Sequence, residues 1–90
     1  MAQTFFPEAS ILVPASPPHP ENTEYKVSIG LEQWDESHHH VIKVQMVYDS
    51  IVAGRRSPSF PIGTDDLSRV IKAIEELYKR EQEKRIVEVW

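Results

Sequence analysis

The residues with the greatest chemical potential are a run of three histidines, a set of paired carboxylates and a thin scatter of bases. His38-His39-His40 lies between two apolar segments. Alternate residues of an extended chain share a face, so His38 and His40 could approach one metal ion. A zinc site needs at least three protein ligands. Neither a CxxC nor an HExxH pattern is present, and the nearest carboxylates, Asp35 and Glu36, belong to a polar turn. The run therefore reads as the polar end of a hairpin, and no metal or other cofactor is expected. Asp65 and Asp66 stand where a helix begins, and Glu75 and Glu76 precede Lys79 and Arg80 by four residues. Capping and ion pairing account for these acids. No serine sits in a nucleophile elbow, and three glycines do not build a phosphate loop. A catalytic role is not expected. A small enzyme or metal protein built on the histidines is the third of three readings.

The other two readings concern binding. Lys26, Trp34, Lys43, Arg55 and Arg56 combine an aromatic ring with four positive charges. On an open sheet, such groups suit single-stranded nucleic acid, because bases stack on the ring and phosphates pair with the bases of the protein. The same surface suits a protein partner or a covering arm of the chain itself. Fourteen acids against ten bases give a net charge of −4, so the basic excess that usually drives phosphate binding is missing. Clustering of the four bases would favour nucleic acid, and dispersion would favour protein.

These residues must be positioned by a small fold. Ninety residues make one domain near the lower limit for a self-sufficient core. Zero cysteines exclude disulfides and thiol chemistry. No apolar run exceeds three residues, the length of Ile11-Leu12-Val13, far short of the ~18 residues of a membrane span, so no membrane partner is expected. The start MAQTFFPE lacks the basic and apolar regions of a secretory signal, and a cytoplasmic location is expected.

Residues 1–23 read as a Pro-rich N-terminal arm, with four prolines between Pro14 and Pro20, and residues 24–90 as one α+β domain. Phe5–Val13 either docks as an edge strand or stays mobile. Tyr25, Val27, Ile29 and Leu31 alternate with polar residues, and Ile42, Val44, Met46 and Tyr48 repeat the pattern. A four-residue loop, Asp35–His38, would set Leu31 against Ile42, Ile29 against Val44, Val27 against Met46 and Tyr25 against Tyr48, with all apolar residues on one face. The outward face would carry Lys26, Trp34 and Lys43. Residues 49–63 read as irregular, with a short edge strand over Ser57–Ile62 whose Phe60 and Ile62 face inward.

A helix is predicted from Thr64 or Asp65 to about Lys84. Leu67, Val70, Ile71, Ile74, Leu77 and Tyr78 recur at helical spacing. Ile86–Trp90 reads as a strand-like tail. The expected fold is thus an antiparallel sheet of three to four strands, one long C-terminal helix and that tail. The helix stripe exceeds what a small sheet can cover. Val70, Ile74, Leu77, Tyr78 and Trp90 are therefore candidates for a homodimer interface.

The segment GRRSPSFPIGTDDLSRVIKAIEEL, residues 54–77, in its order after two strands, resembles the positive-cofactor-4-type transcriptional coactivators and the related Whirly-like single-stranded-DNA-binding folds. Gly54-Arg55-Arg56 fits a glycine-basic-basic step, Phe60 and Ile62 fit inward strand positions, and Asp66-Leu67 fits an acidic-hydrophobic helix start. The resemblance implies a curved sheet followed by a long helix, subunits paired through helices, and single strands bound by the sheet and loops in transcription or DNA maintenance. The alternative is a homodimeric protein-interaction module without nucleic-acid binding.

Overall fold

The computed structural model describes residues 4–88. Four strands form one antiparallel sheet in sequential order: β1 (Phe5–Pro14), β2 (Thr23–Trp34), β3 (Ser37–Tyr48) and β4 (Ile51–Ala53). One helix, α1 (Asp66–Glu88), follows and packs across β1 and β2. The fold is α+β, with a single helix on the apolar face of the sheet. Val13, Tyr25, Val27, Ile29 and Met46 from the strands meet Val70, Ala73 and Leu77 from α1 in the core.

The β2–β3 hairpin keeps the expected faces but not the expected register. Trp34 pairs with Ser37, so the loop is the two-residue turn Asp35-Glu36 rather than Asp35–His38. Tyr25 then faces Met46, Val27 faces Val44, Ile29 faces Ile42, and Leu31 faces His40. This differs by two residues from the pairing the alternation suggests. Strand side chains repeat every two residues, so a two-residue shift leaves every side chain on its predicted face. Asp35 takes the positive φ, 53°, that such a tight turn needs. The next turn, Asp49-Ser50, has φ of 49° and 68°, the pattern of a type I′ hairpin. It returns the chain as β4.

Three further expectations are corrected. Ser57–Ile62 is not a strand; the fourth strand is Ile51–Ala53, and Pro58 and Pro61 fall in the loop that follows. Phe60 faces inward and stacks on Tyr25 at 5.0 Å, but Ile62 is fully exposed. The helix does not end near Lys84; it continues through Ile86 and Val87 to Glu88, which removes the strand-like tail over those residues. Of the two alternatives for Phe5–Val13, the structure has the edge strand. The proline run Pro14–Pro20 becomes the connection between β1 and β2.

Candidate interaction surface

The connection between β1 and β2 is anchored by a carboxylate that sequence reasoning assigned to capping alone. Asp66, the first residue of α1, is fully buried. Its Oδ2 accepts from the Ser16 amide at 2.9 Å and from the Tyr25 hydroxyl at 2.8 Å. Its Oδ1 accepts from the Ser16 hydroxyl at 2.5 Å and from Arg69 Nη2 at 2.7 Å. The Tyr25 hydroxyl also lies 2.8 Å from the Ser59 carbonyl, which accepts a bond from His19 as well. Burial pushes the Asp66 carboxyl upward, but the Ser16 hydroxyl and amide, the Tyr25 hydroxyl and the Arg69 charge outweigh it and hold the value at about 2. Burial, and then the neighbouring carboxylate, push the Tyr25 phenol upward. All four positions around the carboxylate are filled by the chain's own donors. The cluster is a staple joining the linker, the sheet, the 57–61 loop and the start of α1. Its signal in the sequence is faint, because Ser16 and Tyr25 lie 50 and 41 residues away from Asp66.

The five residues considered for nucleic-acid contact do not form one surface. Lys43 is ion-paired with Glu32, and its ammonium also lies 5.2 Å from the centre of the Phe5 ring. Hydrogen bonds from Lys43 and then Trp34 hold the Glu32 carboxyl below its ordinary value. Trp34 donates from its indole nitrogen to Glu32 at 2.7 Å and stacks one ring face on His39 at 4.6 Å. Arg56 sits 5.5 Å above the Tyr48 ring. Tyr48 closes β3 at the end opposite to Trp34, about 36 Å along the strand at ~3.3 Å per residue. Lys26 and Lys43 share a groove of about 400 Å³ on the outer face, with Phe5, Gln45, Val52 and Gly54. Arg55 follows Gly54 and is exposed. The groove therefore gathers Lys26 and Lys43 but leaves out Trp34, Arg55 and Arg56. Phe5, its aromatic ring, is buried and offers no free face for stacking.

The apolar stripe of α1 divides in two. Val70 and Leu77 are buried against the sheet of their own chain, so neither can meet a second copy. Ile74 is half-buried. Leu67, Ile71 and Tyr78 are 51%, 44% and 55% exposed. Together with Ile74 they run at spacings of four, three and four along one flank, which is a continuous helical stripe. Trp90 lies outside the described residues. Beside the flank, Ile42, Val44 and Tyr48 of β3 are only half-covered, because α1 lies over β1 and β2. A groove of about 270 Å³ separates the two elements where Tyr78 and Glu81 face His40 and Ile42.

His40 bridges the sheet and the helix end, 2.7 Å from Glu8 through Nε2 and 3.6 Å from Glu81 through Nδ1. Among the described residues no group of three or more histidines and carboxylates has metal-site geometry, and no helix is long and apolar enough to cross a membrane. No family model, no curated protein and no solved structure matches this chain.

Proposed function

We propose that the chain is a non-enzymatic protein-interaction module that works as a homodimer. The observation that carries this reading is the apolar flank Leu67–Ile71–Ile74–Tyr78, exposed at all but the half-buried Ile74 and lying beside a half-covered strip of β3. A 90-residue domain gains little core of its own, and an exposed contiguous apolar patch is the usual mark of a contact surface. The placement of the bases supports the same reading, since Arg55 and Arg56 do not line the groove that holds Lys26 and Lys43, and Lys43 and Arg56 are each engaged within the chain. By sedimentation equilibrium the protein should have twice its 10.4 kDa chain mass. Tyr78→Asp should shift it toward monomer while leaving its far-ultraviolet spectrum unchanged, because Tyr78 contributes little to the core. A monomeric wild type at high concentration would end this reading.

A second reading, single-stranded nucleic acid bound in transcription or DNA maintenance, is favoured by one feature: the outer groove that holds Lys26 and Lys43 and is lined at one end by Gly54, the residue that precedes Arg55 and Arg56. Titration of labelled oligothymidine at low salt tests it. Non-specific binders reach dissociation constants of about 10⁻⁴ to 10⁻⁶ M, so no anisotropy change at ~100 μM protein would discard it. Binding lost in Arg55→Ala with Arg56→Ala would restore it over the protein-interaction reading.

A further inference from the structure

The two edges of the sheet are treated differently. The β1 edge is interrupted by Pro7 and Pro14, which have no N–H to offer, and by a bulge between Pro7 and Ala9 that carries Glu8. These are the devices by which native proteins blunt an edge. The other edge has none of them over most of its length. β4 pairs only with Met46, Val47 and Tyr48. Residues 37–45 of β3 have no strand beyond them among the described residues. They contain no proline and no glycine, and Lys43, their one Lys, Arg, Asp or Glu, is ion-paired with Glu32.

The hairpins fix which backbone groups point outward. Residues flanking a two-residue turn exchange both backbone hydrogen bonds, and the bonded pairs then alternate along the strand. Trp34 and Ser37 flank the first such turn, so the odd residues of β3 bond β2 and the even residues point away from it. The bonds from the Gln33 amide to the Thr4 carbonyl and from the Ala15 amide to the Thr23 carbonyl agree, since they direct the odd residues of β2 toward β1. The second turn gives the same parity: Tyr48 faces Ile51 and Met46 faces Ala53 across β4. His38, His40, Ile42 and Val44 therefore present open N–H and C=O groups at the edge.

We infer that the second copy of this chain adds at this edge, β3 against β3 in antiparallel register, with the two-fold axis through Val41. The inference rests on the homodimer reading and says where the copies join. In this register His38 lies opposite the partner subunit's Val44 and His40 opposite the partner subunit's Ile42. All four open positions bond at once, giving about eight backbone hydrogen bonds. Met46, already bonded to β4, would lie opposite the partner's Glu36, where that hairpin has turned. The span left uncovered by β4 thus equals the span the two-fold pairing uses. A shift by one bonded rung would either set Val44 against the partner's turn or bring His38 against Met46, which β4 occupies. The contact is isologous and closes on itself, so it yields a dimer rather than a fibre. Ile74 and Tyr78, on the flank of α1 that borders β3, stand next to the seam.

Val41 meets its own copy at a non-hydrogen-bonded position, where Cα atoms are about 4.5 Å apart. That separation lies within the range of about 4.4–6.8 Å that a disulfide spans. The wild type has no cysteine, so single substitutions give an unambiguous reading. Under mild oxidation at micromolar protein, Val41→Cys should cross-link at least about tenfold faster than Leu12→Cys, an exposed outer-face position on β1, because a paired site raises the effective concentration to the millimolar range. Ser37→Cys mixed with Gln45→Cys should give a mixed disulfide, while each alone stays largely uncross-linked; this pair tests the register even if Val41→Cys folds poorly. A wild type that sediments as a dimer, with Val41→Cys no faster than Leu12→Cys and no mixed product, overturns the β3 pairing and leaves the homodimer reading standing. A monomeric wild type overturns both.

Discussion

Asp66→Asn should be among the most destabilising conservative substitutions in this chain, costing about 3–5 kcal/mol, the range for removing one charge from a buried pair. The carboxylate is fully buried and accepts four hydrogen bonds, two from Ser16 and one each from Tyr25 and Arg69. An amide has the same shape but only one acceptor oxygen. Its NH₂ group would point donors at donors, and the Arg69 guanidinium would lose its buried partner. Chemical unfolding measures the loss. Asp65→Asn is the control: Asp65 is 70% exposed and pairs only with Arg69 at the surface, so it should cost no more than about 1 kcal/mol.

The same carboxylate sets an acid limit. Its folded value of about 2 lies below the ordinary 3.8. A group depressed on folding contributes stability that is present above its unfolded value and is lost as pH falls through its folded value. Wild-type stability should therefore fall between about pH 4 and pH 2 in part through Asp66, and Asp66→Asn should show a shallower slope across that window. An unchanged slope would mean that the Asp66 carboxyl titrates alike in the folded and unfolded chain, so that its buried hydrogen bonds do not favour the charged form.

What could be read from the sequence follows the range over which each signal acts. The alternation of Tyr25–Leu31 and Ile42–Tyr48 fixes faces, because a strand repeats every two residues; it cannot tell the register with Ile29 opposite Ile42 from one with Ile29 opposite Val44. The turn chemistry that would decide is muted, since Asp35-Glu36 and Asp49-Ser50 replace the Asn-Gly or Asp-Gly pairs that announce a tight hairpin. β4 was hidden for the same reason. The helix was legible because six apolar residues recur at its period, yet that period cannot say which flank meets the sheet. Val70 and Leu77 face inward while Leu67 and Ile71 face out, and that division is set by how α1 crosses β1 and β2. Asp66 was hidden by its own plausibility: an acid in the first turn of a helix already has a reason to be there. The basic residues have the right types for a binding face, but Lys43 is answered locally by Glu32 and Arg56 by the Tyr48 ring, and no spacing rule foretells that.

Gly30→Ala should be the most damaging single methyl that can be added to the sheet. Gly30 lies in β2 opposite Pro7 and Val41, and it is buried. A Cβ placed on it would come within 2.3 Å of the Phe6 carbonyl oxygen and 2.7 Å of the Pro7 Cα. Both are backbone atoms of β1, which approaches closely here because of the bulge between Pro7 and Ala9. No rotamer change relieves such a contact, so the start of β1 must lift. Lifting it would expose Phe5, now 7% accessible, remove the ring from beside the Lys43 ammonium, and strain the bond from the Gln33 amide to the Thr4 carbonyl. The expected cost is about 2–4 kcal/mol, from the middle of the usual range for overpacking to just above it. For a domain of this size, that lowers the melting temperature by about 10–25 °C. Hydrogen exchange should show the loss concentrated at the Gln33 amide and the first residues of β1, with Tyr25 and Val27 still protected. Gly54→Ala provides the contrast. Nothing lies within 4 Å of its added Cβ and its φ is not positive, so its effect should stay within about 0.5 kcal/mol. If both variants melt together with the wild type, β1 does not hold its close approach to β2 in solution, and the guarded edge it provides would be open as well.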